Sequence, residues 1–196
     1  MEREGTTVLV AGGTGTAGTA HVEALVGAGY RVKATIRPGK DMATLVQMGA
    51  EPVEVDLRHP EAAGRALEGV YAVVVAVLGR GSDGVRDEEF VTRNLVDGAR
   101  AAGVSRIVYT SVYLADEPTG VPHFELKGRL EDYVRRSGLR HTFLRPATFM
   151  EGLNAPWIRA SVEERGVLTS PIALGTPTWL GSPCWPWKMP PWKAPL

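Results

Sequence analysis

Residues 6–18 read TTVLVAGGTGTAG, and the fold turns on how this stretch is parsed. Thr6–Gly12 is a run of β-branched and aliphatic residues closed by glycine, the pattern of a short strand buried on both faces. Gly12, Gly15 and Gly18 recur at GxxGxxG spacing. From Thr16 to Ala28 the residues Ala17, Ala20, Leu25 and Ala28 fall at helical intervals, and Gly29 supplies the stop. A strand, a glycine loop and a helix in that order make a cradle for the pyrophosphate of a dinucleotide. Gly12 permits the tight turn, Gly15 lets the backbone approach the phosphates, and Gly18 lets the helix lie close on the strand. Unpaired amides at the helix start, around Thr16 and Ala17, then face the anion, and Thr14 and Thr16 add hydroxyl donors. No Gly-Lys-Ser/Thr follows, which excludes a phosphate loop of the nucleoside-triphosphatase kind.

Outward from this loop, strand and helix patterns alternate. Arg31–Ile36, Pro52–Val55, the run Val70–Gly79, Arg106–Ser111 and Arg140–Arg145 read as further strands. Asp41–Met48 with Asp41 as N-cap, Pro60–Glu68, Glu88–Ala102 and Pro122–Ser137 read as helices. Such alternation predicts an α/β fold over residues 1–150, a doubly wound parallel sheet with helices on both faces and right-handed crossovers. Residues 151–196 are expected to form an incomplete or irregular substrate region. Within it, Pro171–Leu196 holds seven of the 14 prolines, four of the five tryptophans and only two charges, Lys188 and Lys193. So much proline forbids regular helix or central strand. Two accounts of this tail stay open: a docked arm, or a terminus foreign to the rest, such as a shifted reading frame produces. Tryptophans left uncovered there would favour a homo-oligomer.

Composition narrows the function classes. With 22 Lys plus Arg against 22 Asp plus Glu, the chain lacks the basic surplus of a nucleic-acid binder. Cys184 is the only cysteine, which excludes an intrachain disulfide and a cysteine metal cluster, and no His/Asp/Glu group has metal-ligand spacing. The longest apolar run, Val70–Leu78, is less than half a membrane span, and the opening MEREG has no apolar signal core. A cytoplasmic protein with no membrane partner is the expectation.

The end of the second strand selects the dinucleotide. An NAD site expects an acid about 20 residues beyond the loop to hold the ribose diol. This chain has Ile36-Arg37-Pro38-Gly39-Lys40 there instead. Arg37 can fork onto a 2′-phosphate, with Lys40 assisting, and Pro38 biases Arg37 to extended backbone. One such bond is worth about 1.5–3 kcal/mol, so NADP(H) is favoured over NAD(H). A solvated basic turn is the plainer account. Asp56 and Leu57, just past the third strand, are placed to meet the adenine, although a loop aspartate also serves its own backbone. Ala76 and Val77 should line the channel at the carboxyl end of the fourth strand.

Taken together, VLVAGGTGTAG (8–18), Arg37, IVYTSV (107–112), HFELKGRLEDYVRRSGLR (123–140) and HTFLRPATFMEGL (141–153) resemble the NmrA-like group of atypical short-chain dehydrogenases, in order over about residues 6–155. The resemblance implies a Rossmann domain with strand order 3-2-1-4-5-6 and a small C-terminal substrate region. The group includes NADPH-dependent quinone and isoflavone-type reductases, and also redox-sensing regulators with little or no catalysis. Ser111 and Lys127 match the family serine and lysine, while His123 stands where the family tyrosine would be. By the same resemblance Lys127 contacts the nicotinamide ribose, Arg145-Pro146 turns the chain over the cofactor, and Ala147–Phe149 pack near the nicotinamide.

Residues four apart share a helix face, so His123, Lys127 and Glu131 form one polar row, with Leu126, Leu130 and Tyr133 turned to the sheet. Lys127–Glu131 is also a favourable i,i+4 pair. His123 can donate a proton to a reduced carbonyl or quinone while Ser111 steadies the oxygen; as a plain surface residue at a helix start it would do neither. Tyr109 and Tyr113 flank Ser111, and Tyr113 is the reserve donor. Phe149 and Met150 are candidates for an apolar wall against a flat substrate, or for core. Two functions therefore stand: an NADPH-dependent reductase of a quinone or small carbonyl compound, and a non-catalytic NADP(H) sensor whose state a protein partner reads.

Overall fold

A computed structural model of the chain describes residues 5–79 and 83–147, together with positions 149, 151, 159, 160, 163 and 164. The chain divides into two compact units, Met1–Pro146 and Ala147–Leu196, and the elements that follow belong to the first. In chain order they are β1 (Thr7–Ala11), α1 (Thr16–Gly27), β2 (Arg31–Ile36), α2 (Ala43–Gln47), β3 (Glu51–Glu54) and α3 (Pro60–Ala66). After these come β4 (Ala72–Val75), α4 (Gly84–Ala101), β5 (Arg106–Thr110), α5 (Pro122–Arg136) and β6 (Arg140–Leu144).

The strands form one six-stranded sheet in the order β3-β2-β1-β4-β5-β6, as the family resemblance implies. Every neighbouring pair is parallel, with Ala11 opposite Val75, Val75 opposite Tyr109 and Tyr109 opposite Phe143. All carboxyl ends thus lie along one edge. The order reverses beside β1, where its two neighbours run on to opposite flanks of the sheet. That is where a crevice opens in sheets of this kind.

Alternation along β1 explains why it is apolar throughout. Leu9 and Ala11 join one core cluster with Leu95, Leu126 and Leu130 from α4 and α5. Val8 and Val10 join the other, with Val22 of α1 and Leu45 of α2. Successive side chains of a strand point to opposite faces, so a strand covered on both sides must be apolar at every position. Burying Val8, Leu9 and Val10 stabilises the fold by about 1.5–3 kcal/mol each relative to exposure.

Three elements differ from the sequence expectation. The fourth strand pairs only over Ala72–Val75, because beyond it Ala76 N donates to Ala11 O and the chain then leaves the ladder at half-buried Ala76 and Val77. Helix α4 starts at Gly84, a turn before Glu88. Gly79 and Gly84 lie so close that a Cβ on either would meet the other's backbone, a packing signal that apolar periodicity does not carry. Helix α2 starts at Ala43 with Met42 at the cap position, and Asp41 instead accepts the Ala43 N–H at 2.8 Å through Oδ1.

Candidate active site

The first half of the site is made of backbone. Gly12 sits at φ +82°, and a Cβ there would lie 2.5 Å from Ala76 O. A Cβ on Gly18 would overlap the Gly12 carbonyl, so α1 rests directly on the turn that precedes it. The turn is held by Gly15 N donating to Gly12 O at 3.0 Å and by Gly12 N donating to Thr35 Oγ1 at 3.2 Å. Gly15 occupies the N-cap of α1 and no side chain caps it. The amides of Thr16, Ala17 and Gly18 therefore have no intrahelical acceptor and carry the positive end of the helix dipole. Thr14, Gly15 and Thr16 around them are exposed. An uncapped helix start above a turn with no room for side chains is a fit for a pyrophosphate.

Arg37 and Lys40 stand exposed just past β2, on a turn closed by Lys40 N donating to Arg37 O at 3.3 Å. Among the described residues neither has a carboxylate partner, which leaves both free for an anion. Asp56 is differently placed. Its carboxylate takes Arg58 Nη2 at 2.7 Å, Arg58 Nε at 3.0 Å and the Arg58 amide at 3.0 Å. The Arg58 guanidinium holds it at about 2, well below the usual carboxylate range. Leu57 is buried in the core, and its carbonyl accepts from Asn94 Nδ2 at 3.0 Å. Asp56 and Leu57 thus each have a protein partner, with Asp56 still partly open, and Ala76 and Val77 offer partly open surface beside Gly12.

The second half is made of side chains drawn from distant segments. Lys127 of α5 is buried, 3% exposed. Its Nζ lies 2.8 Å from Glu88 Oε1 and donates to Thr110 O at 2.8 Å and Val77 O at 3.4 Å. Glu88 of α4 is fully buried and its Oε2 accepts the Gly79 N–H at 3.1 Å. His123 Nδ1 lies 3.6 Å from the same oxygen, so His123 is a half-buried member of this cluster rather than a plain surface residue. Burial pushes His123 below the ordinary histidine value; Glu88 pulls it up and Lys127 pushes it down. Burial likewise pushes Lys127 below the ordinary lysine value, against Glu88. The Lys127 ammonium also sits 4.8 Å from the centre of the Tyr109 ring. Burial, with Glu88 and Glu131 nearby, pushes Tyr109 well above the ordinary phenol range.

Ser111 follows β5 directly, 2% exposed, its amide bonded to Leu144 O at 2.7 Å. Its Oγ has no hydrogen bond of ordinary geometry, although it is near enough to Glu131 to favour the ionised carboxylate. Tyr113 is 51% exposed and lies outside the strand. Pro146 O accepts the Tyr113 N–H at 3.0 Å, which sets Pro146 beside the Ser111–Tyr113 segment. Phe149 is exposed; Met150 and the tail from Pro171 lie outside the described residues.

The polar row of α5 needs correction. Glu131 is buried, and its partners are Arg145 and Arg135, not Lys127. Arg145 grips it with two bonds, Nε to Oε1 at 2.8 Å and Nη2 to Oε2 at 2.6 Å, and reaches Asp116 Oδ2 at 2.8 Å. Burial raises the Glu131 carboxyl, but these contacts outweigh it and the net direction is down. The Lys127–Glu131 pairing lost because Lys127 meets buried Glu88 of α4, while Glu131 takes the two-bond grip of Arg145 beyond β6 and Arg135 one turn along α5. Glu88 and Arg145 were both missed as site-forming charges. Glu88 shares a helix stripe with Thr92, Leu95 and Ala99, all buried, and a charge on an otherwise apolar stripe was the available signal.

A groove of about 570 Å³ lies between α4 and α5, edged by Arg93, Arg100, Arg129 and Arg136, and none of the expected site residues lines it. Among the described residues no group of His, Cys, Asp or Glu is placed to hold a metal ion, and no helix is long and apolar enough to cross a membrane.

A parallel 3-2-1-4-5-6 sheet with a glycine turn under an uncapped first helix defines a Rossmann fold of the NAD(P)-binding kind. Within that class the chain belongs to the NmrA-like family, whose model matches residues 4–178. It is 33% identical over 149 residues to the photosystem II assembly factor Ycf39 of Synechocystis, covering 74% of this chain and 46% of that one. It is 30% identical over 174 residues to the NAD(P)H azoreductase of Xenophilus azovorans, covering 88% and 58%. In structure it resembles Citrobacter triphenylmethane reductase complexed with NADP(H), with TM-score 0.66, 26% identity, and coverage of 81% and 55%. The chain spans about half the length of the curated relatives it matches.

Proposed function

We propose that the chain binds NADP(H) over the β1–α1 turn and acts as a reductase of a quinone or small carbonyl compound. The observation that carries this reading is the uncapped start of α1 seated on a turn where Gly12 and Gly18 leave no room for a side chain. The relatives include an azoreductase and a triphenylmethane reductase, which supports the reaction class.

The amides of Thr16–Gly18 with Gly12, Thr14 and Gly15 would hold the pyrophosphate. Arg37 and Lys40 would take the 2′-phosphate, Asp56 and Leu57 the adenine end, and Ala76, Val77 and Pro146 the channel wall. Bound NADPH supplies the hydride. The chain's own part is to orient the substrate oxygen with the Ser111 hydroxyl and to give it a proton from His123. Lys127 would contact the nicotinamide ribose and add positive potential that favours the negative charge developing on the substrate oxygen.

A second reading, a non-catalytic NADP(H) sensor, draws on the Lys127 ammonium, which is ion-paired with Glu88 and donates to the Thr110 and Val77 carbonyls within the protein. The likeness to an assembly factor favours it too. Calorimetry with NADP(H) and NAD(H), followed by NADPH oxidation against a quinone and carbonyl panel, separates the two. Turnover supports the reductase; tight binding without turnover on any acceptor retires it in favour of the sensor.

A further inference from the structure

Glu88 has the least exposed carboxylate of the side-chain half, and nothing in the proposed reaction yet uses it. One of its oxygens meets the Lys127 ammonium at 2.8 Å, while the other takes the Gly79 amide at 3.1 Å and faces His123 Nδ1 at 3.6 Å. The last distance is beyond a hydrogen bond but well within charge contact. Glu88 thus holds Lys127 together with the Thr110 and Val77 carbonyls, so the ammonium is turned toward protein partners.

We propose that Glu88 is the positioning residue of this site: it anchors Lys127 from below and holds the Nδ1 side of His123, so that Nε2 is the nitrogen that delivers the proton. The proposal rests on the reductase reading. In the step concerned, hydride adds to the substrate carbon or quinone. The oxygen left with the extra electron pair takes the Nε2 proton, and His123 becomes neutral with its Nδ1 hydrogen toward Glu88. Water then returns the proton to His123. Without a carboxylate behind the ring, the protonated form in this half-buried pocket would face the Lys127 charge alone. Among the described residues, the ionisable groups around the unit are Lys127 and Glu131 on α5 and Tyr109 on β5, and the segment just beyond β4 contributes main chain, through Val77 and Gly79.

Two substitutions pull His123 in opposite directions. NMR titration of the imidazole in the apoprotein, with the signal assigned by its loss in His123→Asn, should show Glu88→Gln moving the His123 midpoint to lower pH. Lys127→Met should move it to higher pH. Each single change leaves a buried charge unmatched, so the neutral double variant Glu88→Gln/Lys127→Met is the folding control, and its midpoint should fall between the singles. With a reducible quinone, Glu88→Gln should lower kcat at pH 7 by about tenfold, a fraction of what general acid catalysis contributes. KM should hold, and kcat should recover as pH is lowered. An unmoved His123 midpoint in folded Glu88→Gln, or shifts of the same sign in both singles, overturns the proposal. Opposite shifts with no turnover on any acceptor leave Glu88 coupled to His123 and bring down the reductase reading alone.

Discussion

The two halves of the site are built from different materials. Around the β1–α1 turn the candidate site is carried by main chain: amides, a carbonyl and the absence of side chains at Gly12 and Gly18. Around α4 and α5 it is carried by side chains, and by charged ones held in the dry. Local sequence dictates the first kind of site, because a turn, its glycines and the following helix are consecutive. Only the finished fold dictates the second, because Glu88 and Lys127 come from two successive crossovers and meet at the end of β5 beside Thr110. The backbone half is therefore expected to be intolerant of added atoms, and the side-chain half intolerant of unbalanced charge.

The sharpest test of that contrast is the buried ion pair. Glu88→Leu or Lys127→Leu should each cost about 3–5 kcal/mol in urea denaturation, whereas the double replacement should recover most of it. If the double is as unstable as either single, packing rather than charge governs this half. Next in size, Gly18→Ala should destabilise by about 1–3 kcal/mol, since the new methyl overlaps the Gly12 carbonyl and the loop must shift. The same variant should lose nucleotide binding, whereas Gly27→Ala, where a Cβ meets nothing within 4 Å, should lose neither. Arg37→Ala should then weaken NADPH binding by about ten- to a hundredfold while leaving NADH unchanged, read by calorimetry.

The smallest effect is on pH. Burial lowers both His21 and His123 from the ordinary histidine value. In the unfolded chain they take up protons near pH 6.5 that the folded protein resists, so stability is full above that pH and declines as pH falls below it. The decline ends once pH has passed the folded values. Thermal melts between pH 8 and 5 should show the drop, and His21→Asn with His123→Asn should flatten it. A melting temperature indifferent to pH across this window would leave both histidines as solvated as in a free peptide.

The same contrast governs what could be read before folding. The sheet order comes from the family resemblance. The strand at Thr7–Ala11 and the turn at Gly12–Gly18 follow from runs of neighbouring residues, and the glycines announce themselves by spacing. The start of α4 did not, because Gly84 begins the helix through contact with Gly79 rather than through an apolar repeat. In the polar row of α5, His123, Lys127 and Glu131 share a face as the 3.6-residue period demands. The sequence has no means of stating that this face points inward, nor that Glu88 and Arg145 supply its partners from elsewhere in the chain.

Lys127 Nζ joins the tips of two neighbouring strands, clasping the Thr110 carbonyl at the end of β5 on one side and the Val77 carbonyl just past β4 on the other. Beyond the pairing of Val75 with Tyr109, these two strand tips are thus bridged by a single side chain. Whatever lodges above them meets a floor whose width is riveted by that one cation.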